Sequence, residues 1–113
     1  MMTSPAGSKI QGPFEIMRWD HSDPPTLARL QRIMAREGFA GDEARFEPSV
    51  KTPEMKHHER VFLAPVTGTV QVSFPGYGVI ALHPGDILAI EPDTTHDITA
   101  EGREAALVLK GLK

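Results

Sequence analysis

Residues 79–96 read VIALHPGDILAIEPDTTH. An apolar run enters a His-Pro-Gly-Asp turn, a second apolar run follows, and a loop containing Pro92 ends in His96. Short apolar runs bounded by Pro and Gly are strands joined by a tight turn. Pro84 presets that turn, Gly85 takes a backbone conformation that side chains resist, and Asp86 can hydrogen-bond the turn backbone.

The neighbouring segments repeat this style. Residues 60–74, RVFLAPVTGTVQVSF, form the longest strand-like block, and Gly68 within it marks a turn. Pro65 has no N–H to give a strand ladder, so it requires an edge position or a bulge. The PGYG of residues 75–78 is a tight turn. Residues 97–100 and 104–111 supply the last strands, and residues 43–48 and 48–53 are short extended pieces. Many short strands with frequent turns predict a mainly β protein, an antiparallel sandwich or barrel.

Only the N-terminal third departs from this. Residues 14–19, FEIMRW, alternate as a first strand, with Phe14, Ile16 and Arg18 on one face. Leu27, Leu30, Ile33 and Met34 recur at helical spacing, which predicts a helix over residues 24–37. Asp23 or Ser22 can cap it, the prolines suit its first turn, and Gly38 stops it. Its apolar stripe is expected to pack on the outside of a sheet, with Trp19 as a packed anchor. Residues 1–13, rich in Ser, Pro and Gly, read as a flexible tail. The expected organisation is one domain over residues 14–113, with the β core at 43–111.

Composition narrows the function classes. A net charge of −3 over 113 residues argues against a nucleic-acid binder acting by itself. The chain has no cysteine, which excludes disulfides, thiolate catalysis and Cys-held zinc. No apolar run reaches the ~20 residues of a membrane span, and the N-terminus has no secretory apolar segment. A cytoplasmic protein without membrane contact is expected. There is no Gly-x-Ser-x-Gly elbow, no dinucleotide fingerprint and no Walker loop. His83, beside the Pro-Gly turn, and His21, in the linker before the helix, are expected to face solvent.

The run from Gly85 to His96 resembles the second conserved motif of the cupin superfamily: a glycine, five residues, a proline, one residue, a glycine, two residues and a histidine. Gly85 and His96 keep that spacing, whereas Glu91 stands at the proline position and Asp93 at the second glycine. The family's first motif is His-x-His, three or four residues, Glu, six residues, Gly. Counted back from Gly68 with the shorter gap, its second histidine is His57, its first histidine falls on Met55 and its glutamate on Val61. The N-terminal layout is similar to that of small single-domain bacterial cupins. The resemblance implies an antiparallel cupin β-barrel, or jelly roll, with one N-terminal helix and His96 pointing into the barrel mouth.

It also implies a place for a divalent transition metal such as Zn, Fe, Mn or Ni, held among His57, His58, Glu59 and His96. Alternate residues of a strand face opposite ways. Either His57 and Glu59 join His96, a two-histidine, one-carboxylate set suited to Fe(II) or Mn(II), or His58 and Glu54 do. Glu54, Met55, Val61, Phe62, Leu88 and Ile90 are the expected pocket residues, with Leu63, Val70 and Val72 lining the barrel or its core. The expected function is binding of a small molecule, with or without metal, in the barrel. The alternative is a metal-dependent enzyme of dioxygenase or isomerase type on a small oxygenated substrate, and no catalytic residue is assigned. Open sheet edges predict a homodimer.

Overall fold

A computed structural model of the chain describes residues 13–20, 22–38 and 41–113. The expected tail, apart from Pro13, and His21 lie outside the described residues. The described elements run β1 (Phe14–Met17), α1 (Leu27–Arg36), β2 (Asp42–Phe46), β3 (Val61–Thr67), β4 (Thr69–Phe74), β5 (Gly78–Leu82), β6 (Ile87–Ile90), β7 (Asp97–Glu101) and β8 (Ala106–Leu112).

Five strands make one sheet in the order β1-β6-β3-β8-β2, and three make a second in the order β5-β4-β7. Every strand pairing is antiparallel. Residues 48–55 run along the remaining side of β7. Pro48 bridges Ala100, the Thr52 N–H donates to the Ile98 carbonyl at 3.0 Å, and Met55 and His96 exchange two backbone hydrogen bonds of 2.9 Å. The smaller sheet thereby gains an irregular fourth member.

Strand alternation sorts the side chains into two cores. Val61 and Leu63 of β3, Leu88 and Ile90 of β6 and Val108 of β8 face inward, onto Val70, Val72 and Phe74 of β4 and Ile98 of β7. Phe62, Ala64, Ile87, Ala89 and Leu109 face outward and meet Leu30 and Met34 of α1. Phe62 therefore does not line the barrel. With Val61 pointing in, its neighbour must point out, and its ring packs on the helix side. The amphipathic stripe of α1 lies against this outer face, with Leu27, Ile33 and Trp19 at its margin.

The helix starts later than the sequence reading places it. Neither Asp23 nor Ser22 caps it; Thr26 does, its Oγ1 accepting from the Arg29 N–H at 3.2 Å. Consecutive prolines keep the residues before them out of helical geometry, so Pro24 and Pro25 precede the cap rather than filling the first turn. Asp23 instead pairs with Arg29 at 3.0 Å. Gly38, at φ +94°, ends the helix as expected.

Pro65 sits in a central strand and is accommodated twice over. The β3–β6 ladder stops at Leu63, and the β3–β8 register slips between Pro65 and Thr67. The bulge places proline where no N–H is required. The Pro65 carbonyl accepts from the Gly85 N–H at 2.9 Å, joining β3 to the turn before β6. At that turn the buried carboxylate of Asp86 accepts from the His83 N–H (2.9 Å), the Trp19 N–H (2.9 Å) and the Arg18 guanidinium (2.8 Å). These bonds draw the chain out of β1 after Met17, which is why that strand is shorter than the FEIMRW alternation implies.

Candidate functional site

The site forms where residues 55–58 meet the loop before β7. The Met55–His96 backbone pair fixes one point of contact. The second is Asp93, whose N–H donates to the His57 carbonyl at 2.7 Å. Asp93 has φ +61°. A left-handed conformation favours glycine, the residue the motif expects at this position, and aspartate is among the few others that tolerate it. The two contacts bring the rings of His57 and His96 to 6.1 Å between centroids, with Phe74 also 6.1 Å from His96.

His57 is thus the histidine that meets His96. His58 points the other way; its side chain is 95% exposed and its Nδ1 lies 2.8 Å from Asp93 Oδ1. Glu54 and Glu59 are exposed, and Met55 is half-buried. Glu59 acts on His57 only as a nearby negative charge. Val61, aligned with the family's glutamate, is packed into the inner core with Leu88 and Ile90. His83 is exposed, as expected, with Nδ1 3.3 Å from Thr69 Oγ1.

His96 is fully buried. Its Nδ1 lies 2.9 Å from the Thr94 carbonyl, which can only accept, so Nδ1 carries the proton. The neutral ring then leaves Nε2 as a bare acceptor, and that atom is buried without a hydrogen-bond partner among the described residues. Burial, above all, holds the His96 imidazole below its ordinary pKa; His57 and Lys110 add to this, while the Thr94 carbonyl and Asp97 oppose it. His57 is lowered too, first by burial and then by the Lys110 charge, with Glu59 opposing.

The sequence reading missed Lys110. It lies on β8 in the same strand phase as Ala106 and Val108, both inner-core residues. Its Nζ stands 3.4 Å from His57 Nε2, within donating distance. With Asp42, Ala44 and Leu112 it lines an open concavity of about 410 Å³. The signal was available: a lysine on the inward beat of an otherwise apolar strand.

The donor set does not fit a protein-held metal. Structural and catalytic sites use three or four protein ligands. His57 and His96 are two, the position of the family's glutamate holds a valine, and the next polar group is an ammonium, which cannot coordinate while protonated. Among the described residues no group of three His, Cys, Asp or Glu side chains is placed to hold an ion. The inner core beside His96 is filled by its own side chains, with Phe14 stacked on Phe74 at 4.4 Å, and the open concavity lies on the Lys110 side.

No protein-family model and no curated protein matches the sequence. Solved structures do match. A cupin 2 domain-containing protein from Halorhodospira halophila superposes with a TM-score of 0.63 at 22% identity, over 88% of this chain and 73% of that one. The cupin domain of Schizosaccharomyces pombe Cnp3 gives 0.59 at 11% identity, over 88% of this chain and 59% of that one. A conserved protein of unknown function from Streptococcus pyogenes gives 0.56 at 8%, over 66% of this chain and 64% of that one. The chain spans less than two thirds of the length of these last two. Antiparallel sheets closed around an apolar core, one outer helix, and a motif histidine at the mouth make this chain a small domain of the cupin fold.

Proposed function

We propose that the chain binds a small oxygenated organic molecule at the mouth of the barrel, with His96 and His57 as its polar contacts. The observation that carries this reading is the buried Nε2 of His96, which has no hydrogen-bond partner among the described residues. Buried polar atoms are almost always hydrogen-bonded, and an exception calls for a partner. A ligand hydroxyl donating to Nε2 supplies one. The apolar surround of Phe74 and the packed core suits the carbon skeleton of such a ligand.

The metal-enzyme alternative has less support, because it needs a third protein ligand that the described residues do not bring to the two imidazoles. The reading includes a homodimer in the cytoplasm. Supporting the dimer, β5 is an outer strand of its sheet, and Val79 on it and Tyr77 beside it are exposed. Supporting the setting, the chain is free of cysteine. No helix among the described residues is long and apolar enough to cross a membrane.

The test is a ligand-observed NMR screen of small sugars, polyols and hydroxy acids, repeated on His96→Phe. Saturable binding lost in the variant is expected. Failure of all three classes to bind the native chain overturns the reading. A solution mass close to twice 12.4 kDa is expected for the dimer, and a monomer at micromolar concentration overturns that part.

A further inference from the structure

The mouth contains a cation that the fold does not use. Lys110 is half-buried, and among the described residues it enters no ion pair within 4.0 Å; its only side-chain partner there is the neutral ring of His57. Its cross-strand neighbour on β2, Asp42, lines the same concavity but forms no ion pair with it. Glu59 is near His57, on the solvent side. A facing carboxylate is the usual partner of a half-buried ammonium. No carboxylate of the described residues takes that place.

From this we infer that the ligand is a small hydroxy-carboxylate: its carboxylate is anchored by Lys110, and a hydroxyl donates to Nε2 of His96. The inference rests on the mouth being a ligand site and adds the chemical class. The two features are complementary and independent. His96 offers a fixed acceptor without charge, so it selects a hydroxyl; Lys110 offers three donors and a full positive charge, so it selects an anion. His57 lies between them, with Nε2 toward the ammonium. An ammonium thus supplies in this mouth the positive charge that a metal supplies where a third protein ligand is present. A neutral sugar would leave Lys110 unmatched, and a simple carboxylate without a hydroxyl would leave Nε2 unmatched.

Two probe pairs, each differing only by a carboxylate in place of a hydroxymethyl group, test this: gluconate against sorbitol, and glycolate against ethylene glycol. Each is titrated into the full chain while the imidazole resonances of His57 and His96 and the backbone resonances of β8 are followed. The acids are expected to shift these resonances saturably and the neutral partners not to. Lys110→Met should weaken acid binding by about tenfold or more, and Lys110→Arg should largely restore it, as expected for a charge-assisted contact. Equal binding of acid and neutral partner, or acid binding unchanged in Lys110→Met, overturns the inference while leaving the mouth a ligand site. Absence of any shift with all four probes overturns both. Should Lys110→Met fail to fold, the acid-against-neutral comparison on the native chain decides alone.

Discussion

His96 is a base that the folded chain keeps unprotonated. Its pKa is lowered by burial, as is that of His57, whereas both titrate near 6.5 when unfolded. Above that value both states are neutral and pH has no effect through these groups. As pH falls below it, the unfolded chain takes up protons that the folded chain refuses, so stability declines until the folded pKa is reached. Thermal melts should show Tm falling from pH 7 toward pH 5, with a shallower slope in His96→Gln. An equal slope in that variant would remove His96 as the cause. Gly85 is a second decisive position. It has φ +93°, and a Cβ there would stand 2.5 Å from Trp19 Cγ. Gly85→Ala should cost about 2 kcal/mol or more, from the left-handed backbone and the clash together, read as a lowered urea midpoint with an unchanged slope. Gly85 was legible in sequence because a Pro-Gly-Asp turn has one meaning; the ring stacked on it was not, since Trp19 is 66 positions away. Likewise strand alternation could not tell the neighbours His57 and His58 apart, although the motif count back from Gly68 fell on His57. What separates them is the bond from the Asp93 N–H to one carbonyl, and nothing local encodes it.

Among the elements, α1 shows how far periodicity reaches. The stripe Leu27, Leu30, Ile33 and Met34 identified the helix and its buried face correctly, because a 3.6-residue period survives any tertiary setting. The start was misplaced because cap strength and proline geometry compete, and two prolines in succession favour the later cap. Leu30→Ala, at a fully buried position between helix and sheet, should cost 2–5 kcal/mol, on the order found for large-to-small core changes. Thr26→Ala should cost about 1 kcal/mol. Urea titrations check both, and a Leu30→Ala effect smaller than that of Thr26→Ala would mean that the helix docks only loosely. In β3, Pro65 called from chemistry alone for an edge position or a bulge, and it is the bulge that forms, with the register slip beside it. Lys110 was passed over because polar residues in a strand are ordinarily assigned to the solvent face; only the phase set by Ala106 and Val108 contradicts that.

At the scale of the molecule, the described chain contains two sheets, one inner core and one outer helix layer, and the sequence foretold this arrangement in kind. The metal expectation came from a resemblance whose ligand positions the chain only partly keeps. Two imidazoles and an ammonium should not retain a transition metal, so dialysis against a chelator should leave Tm and the imidazole spectrum unchanged; a drop of several degrees would mean that an ion contributes to folding. Binding of a ligand at the mouth should raise Tm in proportion to the logarithm of its concentration.

The topology also ties distant parts of the chain together. Among the described strands β1 pairs only with β6, and α1 packs on β3, β6 and β8. The partners of these N-terminal elements thus all lie within residues 61–112, far along the chain. Formation of the native state therefore requires closure between distant parts of the chain, and stopped-flow refolding is expected to be slow by the standard of helical bundles.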